Sequence, residues 1–274
     1  MNIAVIAPSI PGTGGVKSLY ALAGFLNGEH NCGISHYGPG DFADWFDHDA
    51  VEYASTWTTK PDLIIYPEDF QPRMKDVKNV CFALGTTKKI ESYADYVVCK
   101  ASETVEFAKA YVDSKKIRVI ESSIDINTFK YDGREKKEQV AYMLKQHKHP
   151  EMAKLLYDKF GPKYVNILNK TEQEVAEILK DSKVFVWRGW AFEGSPRPPK
   201  EAYVAGCHVV GPTNDLSELY GTDFGHKCIS EEDILKTAER LLTEPVAEPD
   251  LSLIRDSKAE KQDWLDFISE IENG

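Results

Sequence analysis

Short apolar runs and amphipathic stretches alternate along nearly the whole chain. Residues 2–7 are apolar and predict a first strand. Residues 16–26 predict a helix, because Val16, Leu19, Tyr20, Ala23 and Leu26 fall on one face at a period near 3.6. Apolar runs at 33–37, 62–66, 79–83, 95–99 and 117–121 predict further strands, and residues 102–112 a helix. The charged run 130–138, with a single glycine, predicts a linker. The alternation then restarts, with strands at 139–143, 164–168, 183–187 and 207–211 and helices at 151–159, 172–180, 199–205 and 231–242. The last segment, 251–271, predicts an amphipathic helix carrying Leu253, Ile254, Trp264, Leu265, Phe267, Ile268 and Ile271. Residues 41–52 are acidic and aromatic and match neither period.

Strands that alternate with helices imply parallel sheets covered on both faces. Two such series imply two α/β halves, with ligands bound outside the carboxyl ends of the strands and a cleft between the halves. A length of 274 residues suits one large or two small domains. No run of 18 apolar residues is present, so no membrane span is expected. The first residues read as a strand rather than a secretion signal. The five cysteines are odd in number, scattered and lack a Cys-x-x-Cys pair, which points to reduced thiols in a cytoplasmic protein and away from a cysteine metal site.

Charge adds one distinction. The formal net charge of −11 argues against a protein that coats nucleic acid. Residues 231–274 hold 13 acidic and 5 basic side chains, a net of −8. Residues 71–89 hold five basic side chains against Asp76 alone, a net of +4, so a local anionic partner on that stretch stays open.

The candidate chemistry gathers between the apolar runs 183–187 and 207–211. Glu193 and Glu201 stand there with seven residues between them, and Pro196, Pro198 and Pro199 mark the start of a helix, the part of a helix that accommodates proline. Glu201 is expected in the first helical turn and Glu193 in the loop before it. Both then lie near a positive helix end, worth about 0.3–1 kcal/mol to an exposed carboxylate. Two anchored carboxylates at a sheet's carboxyl edge suit the hydroxyls of a sugar or ribose. A second candidate is the loop Gly12-Thr13-Gly14-Gly15-Val16-Lys17-Ser18, where glycines and a helix start allow backbone N–H groups to approach a phosphate. It misses the P-loop pattern because Val16 separates Gly15 from Lys17. It misses the dinucleotide pattern because Lys17 stands at the third glycine. A tight strand-to-helix turn with no ligand is the bland alternative.

The stretch from Glu193 through Glu201-Ala-x-x-Ala-Gly-Cys-x-Val-Val resembles the signature of retaining GT-B glycosyltransferases of the family-4 type. Gly14-Gly15-Val16-Lys17 resembles that family's glycine loop. Residues 95–99, 117–120 and Ile124-Asp125 with Phe129 resemble its passage into the second domain, and Val140-Ala141-Tyr142-Met143 the first strand of that domain. The resemblance implies two Rossmann-like domains facing across a cleft (GT-B), at residues 1–130 and 131–250, and a C-terminal helix, 251–274, crossing back to the N-domain. It implies that Glu201 binds the donor's ribose diol, that Glu193 binds hydroxyls of the transferred sugar, and that Gly14 and Gly15 approach the diphosphate, with Lys17, Gly194 and Ser195 beside them. The family places a basic pair after the first strand of the second domain. Here Lys145 and Lys148 are available and Gln146 stands where a base is expected, so Arg188 and Arg197 are candidate substitutes. The N-domain loop that carries a histidine in the family carries Thr86, Thr87, Lys88 and Lys89 here, the acceptor side.

The reaction implied is glycosyl transfer from a nucleotide sugar to a hydroxyl with the anomeric configuration kept. The nucleotide-diphosphate sugar (UDP-, GDP- or ADP-linked) is a co-substrate, with no cofactor and no metal expected, the departing charge being left to fixed positive groups. Lys145 and Glu193 would be the catalytic groups. Compact members of this fold include viral enzymes that glycosylate hydroxymethylated bases in DNA, and the basic stretch makes a DNA acceptor one alternative. Two others remain: a nucleotide-binding or NTP-hydrolysing protein using residues 12–18, and a non-catalytic sensor of nucleotide sugars.

Overall fold

A computed structural model describes residues 1–8, 14–37, 42–53, 60–70, 74, 76–85, 90, 94–144, 149–189, 195–216 and 224–274. The chain divides into two compact units. The first takes in Met1–Ser123 and Ser257–Gly274, the second Ile124–Ala191 and Pro196–Asp256.

In the first unit, β1 (Asn2–Pro8), β2 (Asn31–Tyr37), β3 (Leu63–Pro67), β4 (Lys78–Ala83), β5 (Tyr96–Cys99) and β6 (Ile117–Val119) form one sheet in the order β2-β1-β3-β4-β5-β6. Every pairing is parallel. The central strands are buried on both faces, which is why β1 and β3 read as unbroken apolar runs rather than alternating ones. Helices α1 (Gly14–Leu26) and α2 (Ser102–Ala108) follow β1 and β5. The order reverses between β1 and β3, so the ligand crevice of such a sheet lies at their carboxyl ends.

In the second unit, β7 (Lys137–Tyr142), β8 (Tyr164–Asn166), β9 (Ser182–Val186), β10 (His208–Pro212) and β11 (His226–Cys228) form a parallel sheet in the order β11-β10-β9-β7-β8. Its helices are the short α3 (Ile126–Phe129), α4 (Pro150–Phe160), α5 (Glu172–Asp181), α6 (Arg197–Val204) and α7 (Glu231–Leu241). Here the order reverses between β7 and β9. The start of α5 is fixed by a capping box, in which Glu174 N–H donates to the Thr171 hydroxyl and Thr171 N–H to the Glu174 carboxylate.

Three expectations need correcting. The run 130–138 is not a free linker, because its charges are committed to α5. Arg134 pairs with Asp132, Glu177 and Asp181. Buried Lys136 donates to the carbonyls of Leu179, Lys180 and Ser182, satisfying the C-terminal end of α5 where the helix dipole favours a cation. The final helix, α8 (Ser257–Asn273), begins six residues later than the apolar pattern suggests, because Asp250 caps a single 3-10 turn, Leu251–Leu253. It packs Trp264, Phe267, Ile268 and Ile271 into the first unit's core, Trp264 edge-on to Phe82. On the same helix, Glu260 is 1% exposed and accepts from both the amide and the hydroxyl of Ser123 at 2.6 Å. Finally, α6 starts at Arg197, so Glu201 stands in the second turn rather than the first. All five cysteines are free and buried, and no helix among the described residues is long and apolar enough to cross a membrane.

Candidate functional site

At the carboxyl edge of the second unit's sheet, β9 runs on through Trp187, Arg188 and Gly189, and α6 opens close behind. Pro198 and Pro199 fall in the first turn of α6, where their missing N–H groups and fixed φ cost nothing. One turn in, Glu201 is 6% exposed and lies 3.4 Å from Arg197 Nε, itself 8% exposed. A buried pair of this kind adds little net stability, since desolvation offsets the attraction. Its presence at a ligand edge therefore asks for a role other than holding the helix. Lys200, the residue before it, is also buried, as is Ser195.

The ends of β7 and β9 are tied together through one histidine. His149 precedes Pro150 at the start of α4 and has φ 48° and ψ 50°, the left-handed region. That conformation costs a non-glycine residue on the order of 1–3 kcal/mol, and a following proline disfavours it further. The imidazole makes no capping bond to α4. Nδ1 lies 2.9 Å from Glu151 Oε1, and Nε2 lies 3.2 Å from the Gly189 carbonyl. The Tyr142 hydroxyl, at the end of β7, donates to the His149 carbonyl at 3.3 Å, and burial pushes that phenol's pKa up. The carboxyl of Glu151 is held low by its own backbone amide and then by His149. At the same residue, Gly189 N–H donates to Asp215 Oδ2 at 2.7 Å, and Arg188 Nη1 reaches that oxygen at 3.3 Å. Gly189 is tightly packed here: an added Cβ would stand 3.1 Å from Asp215 Cγ and 3.2 Å from Trp187 Nε1. Trp187 is 3% exposed, a core residue.

In the first unit, α1 begins on the glycine turn. Gly15 packs where a Cβ would come within 3.1 Å of Leu84 Cδ1, so part of its conformational demand is packing. The Ser18 hydroxyl donates to the Gly14 carbonyl, and buried Lys100, just past β5, donates to the Ser18 oxygen at 3.0 Å. Lys17 is 9% exposed and lies 5.8 Å above the Phe46 ring. Two buried ammonium groups thus stand at the positive end of α1. At the end of β3, Glu68 accepts from Leu84 N–H at 2.9 Å, and burial raises its pKa against these amide bonds.

Of the residues singled out from sequence, the structure brings Glu201 together with Arg197, and sets Arg188 beside Asp215 in the same unit. Gly14, Gly15 and Lys17 share the start of α1 in the other unit. Glu193, Gly194, Lys145, Lys148, Thr86, Thr87, Lys88 and Lys89 lie outside the described residues. Sequence reasoning passed over Asp215, Lys100 and Glu68 and gave His149 no role. Only Lys100 carried a signal, as a lysine directly following an apolar strand. Among the described residues no group of three or more His, Cys, Asp or Glu could hold a metal ion.

No family model matches the chain, and no curated protein matches it. Solved structures do. The HepE protein of Anabaena, solved with UDP and glucose, superposes with a TM-score of 0.71 at 12% identity, over 98% of this chain and 99% of its own. AviGT4, a glycosyltransferase of avilamycin A biosynthesis, gives 0.68 at 13% identity, over 99% and 98%. The UDP-GlcNAc 2-epimerase of Methanocaldococcus jannaschii gives 0.56 at 9% identity over both whole chains. The chain therefore has the fold of the GT-B glycosyltransferases, two Rossmann-like α/β domains, a fold that also serves an epimerase.

Proposed function

We propose that this protein is a retaining glycosyltransferase that moves a sugar from a nucleoside-diphosphate donor to an acceptor hydroxyl. The observation that carries the reading is the buried Glu201–Arg197 pair at the head of α6, at the carboxyl edge of a parallel sheet. An acid held there accepts hydrogen bonds from a ribose diol, and a cation beside it suits the adjoining diphosphate. Glu193 would take hydroxyls of the transferred sugar. In the reaction the bond from the anomeric carbon to the diphosphate oxygen breaks and the bond to the acceptor oxygen forms. Negative charge grows on the diphosphate. The candidates to stabilise it in the second unit are Arg188 and Arg197, joined in the sequence-based reading by Lys145 and Lys148. Fixed cations of this kind are commonly worth several kcal/mol to a transition state. Transfer without a divalent ion is part of this reading, and turnover should survive a chelator.

HepE and AviGT4 support the reading as relatives in fold, HepE through the UDP and glucose bound to it. A screen of UDP-, GDP- and ADP-sugars by thermal shift and turnover tests it. One donor should stabilise the wild type, and E201A should abolish that shift while K17A only weakens it. The opposite pattern, binding lost in K17A and kept in E201A, would favour the nucleotide-hydrolysing alternative. Binding without turnover on any hydroxyl acceptor would favour the sensor. The DNA acceptor rests on the basic stretch 71–89, whose Lys78 is committed to the Ile271 carbonyl at 2.7 Å. DNA binding that is absent at low salt removes it.

A further inference from the structure

The geometry points to His149 as a positioning residue for the nucleotide donor: its imidazole holds the Gly189 carbonyl, and with it Arg188, at the carboxyl ends of β7 and β9. This rests on the nucleotide-sugar reading and adds to it a residue outside the sequence motifs.

Three observations converge. First, His149 occupies a left-handed conformation, φ 48°, immediately before a proline. Glycine would adopt it with far less strain, and strain of this kind persists where the surroundings fix it, commonly at ligand sites. Second, the imidazole does not serve its own helix. It makes no cap bond to α4 and reaches forty residues along the chain to the Gly189 carbonyl. Its two nitrogens face two acceptors, the Glu151 carboxylate and that carbonyl; a neutral ring donates to one of them and a doubly protonated ring to both.

Third, Gly189 is held at both of its backbone groups, its carbonyl by His149 and its N–H by Asp215 at 2.7 Å, and an added Cβ would be tightly packed against Asp215 and Trp187. Arg188 precedes it. Its guanidinium is 30% exposed and holds Asp215 through Nη1, while Nε is buried and has no protein partner among the described residues. A partly exposed cation, next to a residue held at both backbone groups and at the point where the strand order reverses, suits a diphosphate site in such a sheet. Tyr142 completes the brace from β7 by donating to the His149 carbonyl.

The test compares wild type, H149G and H149Q by calorimetric titration with UDP, GDP and ADP, alongside melting temperatures. H149G relieves the backbone strain and removes the imidazole, so it should melt within about 2 °C of wild type. It should nevertheless bind the preferred diphosphate at least about tenfold more weakly. H149Q keeps a terminal N–H for the Gly189 carbonyl and should stay within about threefold of wild type. Wild-type affinity in H149G overturns the inference and leaves the nucleotide-sugar reading standing. Weakened binding in H149G together with a fall in melting temperature of more than about 5 °C also overturns it, since His149 is then a stabilising residue. A wild type that binds none of the three diphosphates overturns the reading and the inference together.

Discussion

Arg197 and Glu201 are four residues apart on α6, both under 10% exposed, with 3.4 Å between Nε and Oε1. The arginine is N-terminal to the acid, the less favourable order for a pair on a helix, and the single long contact is far from a bidentate one. Stability alone is a poor reason for this arrangement, because a buried pair and a well-packed apolar pair of like volume come out close. Removing one partner is another matter, since it leaves its counterpart buried with less compensation. R197M should therefore cost about 2 kcal/mol or more in urea unfolding, and the R197M/E201M double variant less than the two single losses combined. A coupling smaller than about 0.3 kcal/mol would mean the two side chains share a helix face without sharing an interaction.

At the scale of elements, the spacing of β9 and β10 sets where the site loop leaves the sheet. Gly211 makes that spacing possible: an added Cβ would stand 2.7 Å from the Trp187 carbonyl and 3.2 Å from Leu216. The nearer atom is backbone and has no rotamer to give. G211A should lower stability by about 1–3 kcal/mol and, by displacing the end of β9, weaken nucleotide binding as well; normal binding at reduced stability would show that the loop is placed independently of the strand. Most elements were legible in the sequence because each strand is one apolar run and each helix one stripe. What escaped was settled by contacts distant along the chain. Strand β11 is three residues, His226–Cys228, with no pattern of its own, and exists through its pairing with β10. The run 130–138 looks solvated until α5 supplies carbonyls for Lys136 and carboxylates for Arg134. The site divides the same way. Glu201 could be found because prolines and flanking strands announce its helix locally. His149 and Asp215 could not, because their meaning lies in the two backbone groups of one residue, Gly189, forty and twenty-six residues away.

For the whole molecule, acidification acts through three histidines spread over both units. His36 is depressed by burial, against the nearby Glu52, and bonds to the Tyr20 hydroxyl at 2.7 Å. His208 and His226 stack edge-on at 5.7 Å and are depressed chiefly by burial. Each adds a lesser repulsion, His226 acting on His208 and Arg240 on both, while Glu244 and the Pro245 carbonyl act in the opposite sense. A histidine with a folded pKa below its unfolded value near 6.5 binds more protons unfolded than folded through that interval. Its contribution to stability is thus fully present above about pH 6.5 and is lost as pH falls through the interval toward the folded value. Glu68, raised by burial, runs the other way and offsets part of the loss. The depressed carboxylates, among them Asp132 and Glu174, both held down to about 2, lose their contribution only under more acidic conditions. Between about pH 7.5 and 5.5 three histidines act to lower stability as pH falls, and the urea midpoint should fall across that range. Replacing His208 and His226 with glutamine should flatten the dependence in the second unit, because two groups that repel when charged are removed at once. A midpoint that is flat in the wild type, or as steep in the double variant, would show that the burial of this pair does not govern how the molecule responds to acid.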